Sequence, residues 1–382
     1  MARNISKRLS ALKARRSGTD RIQRVAASYQ SDLLAKSLVT ESYQKRAQNK
    51  PYTSYALGAM QEVGPDYTRI SVETAERVAK QLVSDLTAAG RLVAFELQGS
   101  VPCNIHIRGV SDVDLLVLDD AFHTYDSFGS RAQRGDFSSP ISYTPLSALQ
   151  SLRQRIEASL KVRYPAADVD TSGGKAVCVS GGSLARPVDV VPSHWHDTAD
   201  YQRTYQKHDR GVRILDKKVP MTIENLPFLH IKRITDQDDI ALRSLKKAIR
   251  LCKHVKNDAI EDGTSITLPS FDIAATMYHA NMSALRVGAG YELAILAETQ
   301  RHLDALACNL DLARTLYVPD GSRKIFDTNA KLAGLKALSI EMDDLAREAA
   351  KEQNATLMFA DAPSLVETRT TLAKAYVPEV VF

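Results

Sequence analysis

The sequence predicts an α+β fold, a mixed sheet flanked by helices and followed by a helical C-terminal lobe. Three observations predict it. Val72, Ala75, Val78, Ala79, Leu82, Val83 and Leu86 recur at helical spacing and lead directly into a strand-like run, Leu92 to Leu97. Short apolar runs bounded by Gly and Pro then alternate with a second helical pattern, and from Asn225 onward almost every segment has the helical period. The expected division is a basic helical leader and linker at 1–65, a sheet-bearing core with its spine helix at 66–222, and a helical lobe at 223–382. With 382 residues, 44% of them apolar, the chain can bury sizeable cores.

The leader up to about Asn49 reads as helix with polar breaks, and Gln48 to Gly64, with Pro51, Gly58 and Gly64, as a connecting segment. Ser71 is the expected N-cap of the spine helix, which runs down to Gly90. The following stretch, Leu97 to Leu118, organises the rest: a strand, a tight Gly99-Ser100 turn, a loop, and a second strand opening on Asp112-Val113-Asp114. Alternate side chains of a strand share a face, so Asp112 and Asp114 point one way while Val113 and Leu115 point into the protein. Aspartate is depleted from strands, and two side by side call for a divalent cation, which removes their repulsion and takes hard oxygen ligands. The glycine turn before them lets backbone N–H groups and the Ser100 hydroxyl approach phosphate oxygens. Together these features suggest a metal-bound nucleoside triphosphate. Asp-x-Asp alone is a weak signal, since it recurs at Asp168/Asp170 and Asp236/Asp238; only here does a Gly-Ser turn precede it and an apolar strand follow.

Residues 119–140 read as a polar loop and Thr144 to Tyr164 as a helix with Leu146, Leu149, Leu152, Ile156 and Leu160 on one face. Strand patterns follow at 166–170, 176–179 and 187–192. In the last of these Asp189 lies between the inward-facing Val188 and Val190, so its carboxylate must find a partner, a metal or water on the other face. Asp168 and Asp170 rival it from a shorter, less apolar run. His194 and His196 could ligate a metal, but a His-x-His near a strand end reads rather as structural or surface. In the helical lobe, 240–257 carries Lys246, Arg250 and Lys253 as a stripe, either a solvated face or cations for a triphosphate. Ser270 is the expected cap of the next helix, whose start favours phosphate, with Phe271 beside it to stack on a base. Further helices are expected at 293–316 and 330–353, with a less regular tail.

Gly-Ser followed about a dozen residues later by Asp-x-Asp resembles the polymerase β-like nucleotidyltransferases. The two-lobe layout narrows the resemblance, over about residues 70 to 300, to the synthases of cyclic nucleotide signals and above all to the bacterial CD-NTases of anti-phage (CBASS) defence. It implies catalytic, metal-binding carboxylates at Asp112, Asp114 and Asp189. It also implies nucleotide contacts from Gln98, Gly99, Ser100, Lys246, Lys253, Ser270 and Phe271, and two magnesium ions, with manganese as an alternative. The implied product is a cyclic di- or trinucleotide messenger made from ATP and from GTP, UTP or CTP. A defence-operon partner protein goes with that role. A non-nucleotide acceptor (antibiotic or protein), a linear product and a nucleotide-binding module without catalysis are the alternatives. The sequence lacks the Cys/His zinc insertion of the animal DNA sensor, and Phe271 stands where that enzyme has Tyr.

Charge and cysteine usage bound the remainder. The first fifty residues hold twelve Lys or Arg against three Asp or Glu, so they carry +9 while the rest carries −4. Such a leader could bind nucleic acid, but a solvated helix and arm is favoured. Cys103, Cys178, Cys252 and Cys308 are scattered without a Cys-x-x-Cys pair, which fits a reducing cytoplasm. No apolar run reaches the length of a membrane span, and the basic start lacks a signal segment.

Overall fold

The computed structural model describes residues 4–19, 40–109, 111–137 and 142–379. The chain forms two compact units. One takes in Gly64–Cys103 and Ser111–Lys232; the other takes in Met1–Val63, Asn104–Val110 and Arg233–Phe382.

The first unit is built on a seven-stranded sheet. Its strands are β1 (Val93–Gln98), β2 (Val113–Tyr125), β3 (Ala167–Asp170), β4 (Val177–Gly181), β5 (Val188–Asp197), β6 (Gly211–Asp216) and β7 (Met221–Asn225). They run in the order β1-β2-β5-β4-β3, with β6 on the far half of β5 and β7 beside β6. Only β2 and β5 are parallel, so the sheet is mixed as expected. Val113, Leu115, Val117, Val177, Val179, Val188 and Val190 face the spine helix and the helix Pro145–Arg163, burying Val78, Leu82, Leu149, Leu152 and Ile156 with them. Each such Val or Leu contributes about 1.5–3 kcal/mol by leaving water. The opposite face carries a smaller cluster of Leu116, Leu118, Val191, Val212, Ile214 and Phe228.

Several local expectations are corrected. The spine helix spans Pro65–Ala88 and is capped at Gly64, because Pro65 and Asp66 suit a first turn; Ser71 lies inside it, its hydroxyl donating to Tyr67 O. β2 continues through Tyr125 past a register shift between Asp119 and His123, where a polar loop was expected. The polar residue there is buried but neutralised: Asp119 accepts from Arg91 Nη2 at 2.6 Å.

In the helical unit, Pro51–Met60 is a helix buried from Thr53 onward, not a connector. Pro51 occupies its first turn, where the missing N–H costs nothing. At Gly58 a Cβ would come within 2.7 Å of the Tyr43 ring, so the absent side chain is what admits that ring. The helix Ser244–Glu261 is buried on both flanks, and its basic stripe is therefore no solvated face. Arg250 Nε donates to Met60 O at 2.8 Å and its Nη1 to Asn104 O at 2.7 Å. Ser270 is the first helical residue and Pro269 holds the cap position. The tail folds as two short helices, Ala355–Met358 and Leu365–Lys374.

The leader belongs to this unit. Its helix, Ile5–Ser17, buries Arg8, Leu12 and Arg15. Its cations meet acids far along the chain, Arg8 with Asp262 and Glu341, Arg15 with Asp258 and Arg46 with Glu292, and one within the leader, Arg16 with Glu41. Residues 20–39 of the leader lie outside the described residues.

Candidate active site

The site starts from register. Asp114 is the second residue of β2 and Asp189 the second of β5, and parallel pairing sets the two directly opposite each other. Neighbouring strands lie about 4.8 Å apart, so these carboxylates, 75 positions apart in sequence, share one edge and one face. Asp112, exposed just before β2, falls on the same face by alternation, and its charge reaches Cys178 on β4. The full row across β1, β2, β5, β4 and β3 reads Gln98, Asp114, Asp189, Cys178, Asp170. Asp170 therefore lies two strands beyond Asp189, and its Oδ1 accepts from Ser172 N at 2.7 Å. Asp168 lies further along β3, opposite Ser180.

Gly99 makes the close approach feasible. Its φ is +79°, and a Cβ there would sit 2.1 Å from Asp114 Oδ2. Both the backbone conformation and the carboxylate forbid a side chain. Gly99→Ala is accordingly expected to lower turnover by about 100-fold, since misplacing a reacting group by an ångström has that cost, while circular dichroism stays native. Unchanged turnover would mean that Asp114 does not need its place. Gln98, paired with Asp114, accepts from Asn225 Nδ2 at 3.1 Å, and Ser100 is half-buried in the turn that follows.

Burial pushes the Asp189 carboxyl up, the Cys178 thiol opposes that by hydrogen bonding, and Asp170 adds repulsion. Burial and these same carboxylates push the thiol up to about 12. Half-buried negative charges arranged this way suit a hard divalent cation, magnesium or manganese. Among the described residues no group of three or more His, Cys, Asp or Glu side chains is placed to hold a metal ion by itself.

In the helical unit, Lys246 Nζ lies 3.2 Å from Thr235 Oγ1 and buried Lys253 Nζ donates to Ile105 O at 2.7 Å. The sequence did not single out Lys256. It continues the stripe three residues on, and its Nζ donates to Leu268 O at 2.6 Å, two residues before Ser270. Phe271 keeps 40% of its surface, enough to offer a ring face, and the Arg323 guanidinium lies 5.4 Å from its centroid. Arg323 is held by buried Asp272 at 2.5 Å, a partner 51 residues away that no local motif reveals.

His194 and His196 have structural surroundings. His194 is fully buried, Nδ1 2.9 Å from Trp195 O and its ring edge-on to Phe122; His196 Nδ1 is 2.9 Å from Thr124 Oγ1. Burial pushes His194 down to about 4 from an ordinary 6.5 and lowers His196 as well. Between those values the unfolded chain binds a proton that folded His194 refuses. Stability present above pH 6.5 is thus lost as pH falls toward 4, at up to about 1.4 kcal/mol per unit. Urea midpoints from pH 7 to 4 should fall accordingly, and less steeply in His194→Phe; equal slopes would remove this histidine as the cause.

The chain is 40% identical over 358 residues to the cyclic dinucleotide synthase CdnE of Yersinia aleksiciae, covering 91% of this chain and 92% of that one. It is 30% identical over 282 residues to a c-di-GMP synthase of a Lachnospiraceae bacterium, covering 68% and 78%. The solved structure of a STING-associated CdnE c-di-GMP synthase from Capnocytophaga granulosa superposes with a TM-score of 0.67 at 26% identity, over 90% of this chain and 97% of that one. No family model matches. No helix among the described residues is long and apolar enough to cross a membrane.

Proposed function

The chain belongs to the bacterial CD-NTase family of cyclic dinucleotide synthases, and from that premise we propose that it joins nucleoside triphosphates into a cyclic di- or trinucleotide messenger for anti-phage signalling. The observation that carries the reading is the pairing of Asp114 with Asp189 on parallel strands, with Asp112 on the same face two residues earlier. Three relatives of 28–30% identity are named c-di-GMP synthases, which brings GTP forward as the first substrate to test, beside ATP.

Asp112 and Asp114 hold the metal-bound triphosphate, and Asp189 completes the acidic set on the side of the acceptor. A magnesium ion held by these carboxylates would supply Lewis-acid chemistry, polarising the phosphoryl oxygens and lowering the pKa of a ribose hydroxyl. The hydroxyl oxygen forms a bond to the α-phosphorus as the bond to pyrophosphate breaks, and the hydroxyl proton leaves to solvent. Ser100 donates to a phosphate oxygen beside the Gly99 turn. Within the helical unit, Phe271 offers its ring face to a base, and Ser270 and Lys246 offer donors to phosphate. Lys253, which also donates to Ile105 O, offers a further cation, and Lys256 joins them near Ser270.

Incubation with the four ribonucleotides and magnesium, followed by phosphatase and chromatography, tests the reading. A phosphatase-resistant product with two or three nucleotides is expected. A solely linear product, or none in the presence of an activating partner, would overturn cyclisation.

A further inference from the structure

Cys178 stands beside the carboxylates without belonging to the acidic set. It is the second residue of β4, and antiparallel pairing sets it directly opposite Asp189, which itself stands opposite Asp114. Opposed residues project from the same face of a sheet, so the thiol flanks Asp189 on one side as Asp114 does on the other. The core does not explain a sulfur here. Val177 and Val179 on the same strand are fully buried against the helices, while Cys178 points to the opposite face and is only half-buried. Its neighbour there is the Asp189 carboxylate, directly across the strand pair.

An aspartate side chain turns about two bonds, so strand register alone does not fix the direction of the Asp189 carboxylate. A donor on the far side of Asp189 limits that freedom. We infer that Cys178 is a positioning residue for the reaction: its S–H anchors one oxygen of Asp189 on the β4 side, leaving the other aligned with Asp114 for the divalent ion. This rests on the reading of Asp189 as the third carboxylate.

The test uses the full chain with Mn2+ and a non-hydrolysable GTP analogue, ion binding being read by electron paramagnetic resonance and turnover by its Mg2+ dependence. Losing one hydrogen bond should weaken Mn2+ binding in Cys178→Ala about 5-fold and raise the half-saturating Mg2+ concentration similarly. Most of the rate should return at high Mg2+. Cys178→Ser, whose hydroxyl can donate, should stay within about twofold of the wild type. Cys178→Val keeps the volume without a donor and should match the alanine variant, which secures the comparison if alanine lowers the melting temperature. Wild-type Mn2+ affinity in Ala and Val, or equal losses in Ser and Ala, would overturn the inference. In a parallel arm Asp189→Asn should lose Mn2+ binding more severely than any Cys178 variant. Were Asp189→Asn to bind and turn over normally, the reading of the site itself would fall.

Discussion

Asp189→Asn is expected to lower turnover by about 1,000-fold or more while raising the melting temperature. The loss follows from charge. Phosphoryl transfer depends almost wholly on positioning and electrostatic stabilisation, and deleting one preorganised group costs about 3–4 kcal/mol of the barrier, or two to three powers of ten, with more for a charged ligand of a shared ion. The gain in stability has the opposite origin. Burial raises the folded carboxyl above its ordinary 3.8, so the folded protein holds this proton more tightly than the unfolded chain does. Stability therefore falls as pH rises from the unfolded value through the raised folded one, and at neutral pH the ionised group is a cost. Asparagine removes the charge and that fall. Single-turnover rates and melting curves between pH 3.5 and 7 check both halves. A variant that kept its rate would remove Asp189 from the mechanism, and one that lost rate and stability together would make it a structural residue.

Arg8→Met is expected to destabilise the helical unit by about 3–5 kcal/mol, the usual cost of removing one partner of a buried ion pair. Arg8 Nη2 donates to Glu341 Oε2 at 2.9 Å and its Nε to Asp262 Oδ2 at 2.7 Å, with only 1% of Glu341 exposed. Methionine keeps much of the stem volume, so the loss reports charge rather than a cavity. Adding Glu341→Gln should restore part of it. The neighbouring Lys7–Asp262 pair gives the contrast: the lysine is 56% exposed, and Lys7→Ala should cost no more than about 1 kcal/mol. Urea denaturation of the three variants distinguishes them. Equal small losses for Arg8 and Lys7 would mean that the leader helix is merely laid on the surface. The same pairs reduce the charge that the leader offers to nucleic acid, because five of its cations, Lys7, Arg8, Arg15, Arg16 and Arg46, already face carboxylates.

What was readable in the sequence was local. Gly99, Asp112 and Asp114 declare themselves within sixteen residues, and Asp189 is conspicuous as an acid between buried valines. The helix after Thr144 follows from apolar period and its cap, and the spine helix from apolar period alone, its start lying six residues before the expected Ser71. What was not readable depends on pairing over distance. Nothing near Cys178 shows that it will lie opposite Asp189, and nothing near residue 8 names Glu341. The continuation of β2 was hidden because Asp119 looks like a loop residue until Arg91 neutralises it. The helix Pro51–Met60 was missed because proline and glycine were read as breaks, whereas one opens the helix and the other makes room for Tyr43. The basic stripe on Ser244–Glu261 was ambiguous for a related reason: its carbonyl partners come from residues 60, 104 and 105.

The division of the chain also orders events on the ribosome. The sheet unit draws on residues 64–232, interrupted only by 104–110, so its strands can pair soon after they emerge. The other unit must bring the first helix together with residue 341, a separation of 333 positions. The charges of Arg8 and Arg15 therefore wait for their distant carboxylates until translation is well advanced, and closing so long a loop makes this assembly the slow, aggregation-exposed phase of folding.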